Sequence, residues 1–483
     1  LNQEIINNLF NFLPEIILFT AILTLNFISL LRKGNSAVNY SVFIGGVILS
    51  AVFSLIQAGC APQLVFGGLI VIDPFAYFGR VMISISVLLI SLVFFNSSSI
   101  VTEYTKILLF QAAAMLAVSS VNFVILLVSV EVMSITLFLL LAGRITLIMK
   151  YFVYSAVTTC VMLYGFTLLY GITGSAGYYE MSSSLSSVPF NPLTLSISVV
   201  MILAGLFFKM MLPPFNFSFP LLAKNIEIRH LSLFLIPVII SGALVITRLT
   251  LMVFHDSNSF ESGIEDYRLL ADVNWVYLVS AIAGLSVLTG NLVILWQYNL
   301  KKIVTFITIG QAGYLLFGLV SASQEGTTAL LYNIITAGSC ITGLLYSVFL
   351  IEKNSGLTGI NDLKGLGKSD PFLLIMFLFF LLLAAGLPLT GAFSGRVMLF
   401  EALASQGRIV LIGIAVLSSA GFYYFIFRSS LLFFKNSAEI NYCKTETFHK
   451  IILLLLLLPA ILPGVILTGF WNWLRFCSVI FGI

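Results

Sequence analysis

Charge is scarce in this sequence. Only 9% of its 483 residues are Asp, Glu, Lys or Arg, against roughly 25% in soluble globular chains. A soluble protein is excluded on that ground. Metal-binding residues are equally thin. The five cysteines (Cys60, Cys160, Cys340, Cys443, Cys477) lie far apart, and the three histidines (His230, His255, His449) sit near expected loops. No Cys-x-x-Cys or metal-ligand spacing occurs, so metal and iron–sulfur binding are not expected, and the cysteines read as small buried thiols. Soluble-enzyme signatures fail too. Gly367-Lys368-Ser369 echoes the end of a phosphate loop, but Asp362 stands where the earlier glycine is required. No dinucleotide-binding glycine turn appears. The net charge of +4 is scattered through loops and gives no basic face for nucleic acid.

What is present in quantity is hydrocarbon: 60% of residues are hydrophobic, with a mean hydropathy of +1.10. A transmembrane helix needs about 20 apolar residues. On that rule the chain reads as an all-α, multi-pass membrane protein with about 14 transmembrane helices and no soluble domain. The first span begins near Leu13 and does not read as a cleavable targeting segment. Loop charge supports the count. Of the 23 Lys and Arg residues, Lys209, Arg396 and Arg428 fall within spans. Five (Arg80, Arg248, Arg268, Arg408, Arg475) fall on or beside one set of alternate loops, and the remaining 15 on the other. Basic loops face inward, so both ends of the chain are expected outside. The acidic stretch His255–Asp272 reads as a solvated outer loop, and so does Ser-rich Met181–Ser187.

Two spans are expected to be broken. Lys209 sits in Leu206-Phe-Phe-Lys-Met-Met-Leu-Pro-Pro-Phe-Asn-Phe-Ser-Phe-Pro220, within the span 192–219. Pro213 and Pro214 lack N–H groups and clash with the preceding turn, so no helix passes through them intact. In hydrocarbon an isolated ammonium costs at least about 2.5–3.5 kcal/mol. A charge beside a broken helix therefore belongs to protein interior or a watery path. The second break, Gly386-Leu-Pro-Leu-Thr-Gly-Ala-Phe-Ser-Gly-Arg396, lies in the span 371–405. Paired interruptions in corresponding halves mark transporters built from inverted repeats. The breaks are five spans apart, which inverts the second unit. The expected repeats are about 105–253 and 274–434, flanked by helices within 1–95 and 451–472, in a single membrane domain.

Among the acidic residues, only Glu131 and Glu401 fall well inside expected spans. Ionisable groups at such depth serve ion pathways by default. Glu131 and Lys209 are natural partners: a lysine balanced between desolvation and a carboxylate can load and release a proton as the carboxylate moves. Arg396 stays protonated and reads as a fixed charge. Glu401 lies about 140° round the helix from it and is a candidate titrating group of the second half.

These residues resemble the antiporter-like membrane subunits of respiratory NADH:ubiquinone oxidoreductase (complex I). The resemblance rests on Leu13-Pro-Glu15, Glu131, Phe208-Lys209 with Pro214-Phe215, Asn299-Leu-Lys-Lys-Ile303 with Gly313-Tyr314, Asp362-Leu-Lys-Gly-Leu366, and Gly386-Leu-Pro through Arg396. It spans most of the chain and is nearest to the subunit 2 type. It implies a proton-translocating subunit of a translocase, with proton-path residues Glu131, Lys209, Arg396 and Glu401 and no redox cofactor in this chain. FMN, iron–sulfur clusters and ubiquinone would reside elsewhere in the complex. The implied partners are other membrane-arm subunits, including the subunit 4-like antiporter chain, and lipids. The implied location is the mitochondrial inner membrane, in keeping with 43 phenylalanines, as in AT-rich organelle genomes. Three positions depart from the family: Ile239 for an eighth-span lysine, Asn216 for a histidine, and Arg396 for a lysine. Ile239 and Arg396 leave open a spacer that no longer pumps, and shared ancestry leaves open a subunit of a multisubunit sodium/proton antiporter.

Overall fold

The computed structural model describes residues 8–31, 36–57, 61–95, 101–141, 145–187, 191–216, 219–254, 275–364, 366–388, 390–434, 444–465 and 467–479. The expected loop His255–Asp272 lies outside the described residues, as do Cys60 and Cys443. Twelve helices among the described residues are long and apolar enough to cross a membrane, and two shorter apolar helices, Pro371–Ala385 and Thr447–Ile461, accompany them. The chain is a multi-pass membrane protein, and the expected count of about 14 spans stands.

The chain falls into two compact units. One comprises Leu1–Met210, Pro237–Leu278 and Phe476–Ile483; the other comprises Met211–Ile236 and Val279–Arg475. In the first, α1 (Leu13–Leu30), α2 (Ser36–Gln57), α3 (Pro74–Phe94) and α4 (Val101–Ser119) precede α5 (Phe123–Leu140), α6 (Ile145–Thr173), α7 (Tyr178–Ser187) and α8 (Pro192–Lys209). The second contains α9 (Phe219–Asn225) and α10 (Ile228–Leu235), after which α11 (Pro237–Val253) returns to the first. The second continues with α12 (Trp275–Leu292, shared at its start), α13 (Leu300–Val320), α14 (Gln324–Ser355), α15 (Leu366–Ser369), α16 (Pro371–Ala385), α17 (Gly391–Ser405), α18 (Ile409–Phe434), α19 (Thr447–Val465) and α20 (Leu467–Cys477).

Local chemistry sets the helix starts. Asp73, Asn191 and Asp370 each accept a backbone N–H from the first turn, and each precedes a proline. Proline suits that position because its missing N–H would have had no helical partner.

Three expectations need correction. Met181–Ser187 is not a loop: it belongs to helix α7, whose Tyr178, Met181 and Leu185 are buried at helical spacing. The all-helical reading missed a small antiparallel hairpin, Gln63–Val65 with Ile70–Ile72, turned by left-handed Phe66, Gly67 and Gly68. Arg80 and Arg248, placed on or beside outer loops by the charge count, face the interior instead. Arg80 lies inside α3, fully buried with Glu15 at 2.8 Å, and also donates to Ser119 and Gln57. Arg248 lies inside α11 and grips both Asp73 oxygens, at 2.7 and 2.9 Å. A guanidinium fork matches a carboxylate in this way, which is how two such charges tolerate an apolar interior.

Candidate functional site

The site in the first unit is assembled by three helices. On α5, Glu131 and Ser134 are three residues apart and share a face. On α6, Ser155 and Thr159 are four apart and share another. Helix α8 ends at Lys209. A cation in the last turn complements the partial negative charge of the exposed carbonyls there.

Glycine lets α6 and α8 approach closely. A Cβ on Gly205 would stand 2.6 Å from Met162 Cβ, and one on Gly165 would stand 2.9 Å from the Ser198 carbonyl oxygen. Phe208, one residue before the lysine, stacks on Tyr151 of α6 at 5.7 Å between ring centres. The helix ends in this place because Met210 caps it through its N–H to Leu206, and Met211 then takes a left-handed φ of 59°. The Pro213–Pro214 bond beyond is cis.

Lys209 Nζ lies 2.8 Å from Glu131 Oε1, 2.8 Å from Ser134 Oγ and 2.9 Å from Ser155 Oγ. Thr159 Oγ1 stands 2.5 Å from the same Glu131 oxygen. The lysine side chain is 11% exposed and the glutamate 28%. Lys209 is thus largely withdrawn, while Glu131 keeps an edge on the surroundings. The pair expected from sequence is brought together; the hydroxyl partners were missed. Their signal was the spacing itself, Glu-x-x-Ser on one helix and Ser-x-x-x-Thr on the next.

Arg396 and Glu401 belong to the second unit and do not pair with each other. The break between α16 and α17 follows Gly386, which holds a left-handed φ of 79°. Arg396, buried on α17, donates to the carbonyls of Ala384 and Ala385. Those carbonyls end α16, and the interrupted helix supplies no onward N–H for them. Gln311 also donates to Ala384 (2.8 Å), and Tyr423 to Gly386 (3.1 Å). Glu401 is exposed on α17, and among the described residues it has no hydrogen bond or ion pair. A further pair lies elsewhere in this unit: Lys301 Nζ is 3.1 Å from Glu352 and donates to the Ile226 carbonyl at 3.0 Å.

A helical membrane bundle with a lysine–carboxylate pair at the end of an interrupted span defines an antiporter-like protein. The family model described as NADH:quinone oxidoreductase/Mrp antiporter, transmembrane, matches residues 120–422. The chain belongs to that family. It is 28% identical to NADH-quinone oxidoreductase subunit N 2 of Chloroherpeton thalassium, over 89% of this chain and 86% of that protein. It is 27% identical to subunit N of Chlorobium chlorochromatii, over 98% and 95%. The fold matches a chain of respiratory complex I from Thermus thermophilus with a TM-score of 0.75, at 22% identity over 94% and 98% of the two chains. It matches a chain of the Mrp complex from Dietzia sp. DQ12-45-1b with a TM-score of 0.81, at 15% identity over 97% of each. The expected kinship to the antiporter-like subunits of complex I holds.

Proposed function

We infer that this chain is a proton-translocating membrane-arm subunit of an NADH:quinone oxidoreductase. It works as one part of a translocase whose NADH oxidation and quinone reduction occur on other subunits, with FMN and iron–sulfur clusters held there. Near full-length similarity to subunit N proteins supports the assignment. The observation that carries the chemistry is the 2.8 Å contact between Lys209 and Glu131 within the membrane fold.

In this reading Glu131 holds the proton on Lys209, and a change in their separation releases or reloads it. Withdrawal of the carboxylate leaves the ammonium in a poorly solvating site and favours loss of its proton; return of the carboxylate favours recapture. Arg396 acts in the second half as a fixed positive charge, and Glu401, exposed on α17, is assigned with it to that half's proton path. The two halves form inverted repeats, about 105–253 and 274–434, and the paired breaks after Lys209 and Gly386 support that arrangement. Neighbours in the membrane arm include another antiporter-like chain. The phenylalanine-rich composition supports a mitochondrial inner membrane address, while the named relatives are bacterial.

The test uses sealed membranes carrying the assembled complex. Lys209→Ala and Glu131→Gln should each lower the number of protons moved per NADH, at wild-type subunit content. Unchanged stoichiometry in both would remove the role. A second reading, a subunit of a multisubunit sodium/proton antiporter, is favoured by the fold match to the Mrp complex. Purification separates the two: co-migration with flavin and iron–sulfur proteins supports the first. Arg396 in place of a titratable lysine favours a third, a spacer that does not pump. Normal proton stoichiometry in the Glu131→Gln, Lys209→Ala double variant would support it.

A further inference from the structure

The Lys209 ammonium has three N–H bonds and meets three acceptors: Glu131 Oε1 at 2.8 Å, Ser134 Oγ at 2.8 Å and Ser155 Oγ at 2.9 Å. The carboxylate alone would leave two of those hydrogens without partners in a weakly solvating interior. The two hydroxyls come from different helices, α5 and α6, so neither depends on the other's rotamer. Ser155 is buried.

We propose that Ser134 and Ser155 are positioning residues for the Lys209 proton, holding Nζ in place in both its charged and its neutral state. The proposal rests on the proton-translocation reading above. Its physical basis is that a hydroxyl accepts and donates, whereas a carboxylate only accepts. With Lys209 charged, Ser134 accepts from Nζ and gives its own hydrogen to the Val130 carbonyl at 2.8 Å. When Glu131 withdraws, one Nζ–H bond breaks and the proton forms an O–H bond with a water molecule. A neutral amine and a hydronium ion result, and total charge is unchanged. The amine now carries a lone pair, which a serine hydroxyl can fill by turning its hydrogen from the helix carbonyl. The lysine need not leave its place to lose its proton.

Thr159 sets the carboxylate in the same way. Its single hydrogen faces two acceptors, Glu131 Oε1 at 2.5 Å and the Ser155 carbonyl at 2.9 Å, and can serve one at a time. Among the described residues Tyr151 of α6, stacked on Phe208, lies near the carboxylate. Helix α6 also carries Lys150, Tyr154 and Cys160, and α4, packed on α5, carries Glu103 and Lys106, whose Nζ donates to the Leu139 carbonyl at 2.7 Å. Helix α8 carries no charge besides Lys209, and the one charge on α11, Arg248, is bound to Asp73.

The experiment measures protons moved per NADH against pH in sealed membranes, normalised to assembled complex. The variants are Ser134→Ala, Ser155→Ala, their double, and the hydroxyl-retaining Ser134→Thr and Ser155→Thr. Removing acceptors from the ammonium disfavours its charged form. The double variant should therefore lose translocation at a lower pH, its midpoint moved to the acid side by at least about tenfold in proton concentration. Each single variant should move less, and the threonine variants should sit at the wild-type midpoint. A merely structural role would lower the amount of assembled complex and leave the midpoint in place. Wild-type midpoints in the alanine variants, alongside a loss in Lys209→Ala, would overturn this proposal and leave the translocation reading standing. No loss in Lys209→Ala would instead remove the reading beneath it.

Discussion

The Arg396 guanidinium carbon lies 4.2 Å from the centre of the Tyr314 ring, while the same group donates to the carbonyls of Ala384 and Ala385. Planarity makes this possible: one face stacks on the ring while the edge reaches two acceptors. Lysine has a compact ammonium that cannot do both. Arg396→Lys should destabilise the protein by about 1–3 kcal/mol, the scale of a lost charge-assisted hydrogen bond with a buried acceptor left over. Thermal inactivation of the purified complex reads this directly. An unchanged inactivation temperature would mean that the break is held by other groups.

Gly386 has two reasons to be glycine. Its φ of 79° disfavours any side chain, and a Cβ there would lie 2.7 Å from Arg396 Nη1. Gly386→Ala should cost about 1–2 kcal/mol from the backbone conformation alone and should also displace the guanidinium. Combining it with Arg396→Ala should cost less than the two single effects together, because the clash then disappears.

Lys209→Arg separates charge from proton exchange. A guanidinium can still pair with Glu131 but does not release its proton under protein conditions. Assembly should survive, and protons moved per NADH should fall as in Lys209→Ala. Normal stoichiometry would show that Lys209 serves only as a charge.

The Asp73–Arg248 pair is nearly fully buried. Arg248→Met leaves the Asp73 carboxylate without its counter-charge and should cost about 3–5 kcal/mol. Adding Asp73→Asn should recover much of that, since asparagine can still cap α3 through the Ala76 N–H, now 2.7 Å from Asp73. A double variant as unstable as Arg248→Met alone would contradict this.

Cys477, beyond the spanning segments, is buried; burial, and secondarily the Asp73 charge, push its thiol up to about 12. Only the thiolate reacts, so at pH 8 about one thiol in 10⁴ is available. Maleimide labelling at Cys477 should be negligible at pH 8 and rise about tenfold per pH unit towards 12. Fast labelling at pH 8 would place the thiol in a wetter site.

Much of this architecture was legible in the sequence, for a definite reason. Bilayer thickness fixes span length, so the long apolar runs declared their helices. Prolines and Gly386 declared the two breaks, and Lys209 and Glu131 stood out because each is the single charge in its apolar run. The buried arginines were hidden by the same rule. Arg80 and Arg248 lie near helix ends, where a charge normally reaches water. Their partners, Glu15 and Asp73, lie 65 and 175 residues away in sequence. Helical periodicity reports a face, not what the face meets. Helix α7 was hidden by serine, whose weak helix propensity was overridden by the burial of Tyr178, Met181 and Leu185. Ser134 and Ser155 were hidden because hydroxyls are common in membrane helices, where most satisfy themselves on the preceding turn.

The Asp73–Arg248 bridge also says something about how the protein is made. Synthesis runs from the N-terminus, so Asp73 emerges 175 residues before its counter-charge. Through all that time the carboxylate sits at the head of a helix bound for the bilayer without the guanidinium that will neutralise it. Until Arg248 arrives, that carboxylate has to be neutralised by water, by a proton or by its cap on the Ala76 N–H. The bridge therefore ties α3 to a helix made much later, and their packing is completed only once α11 exists.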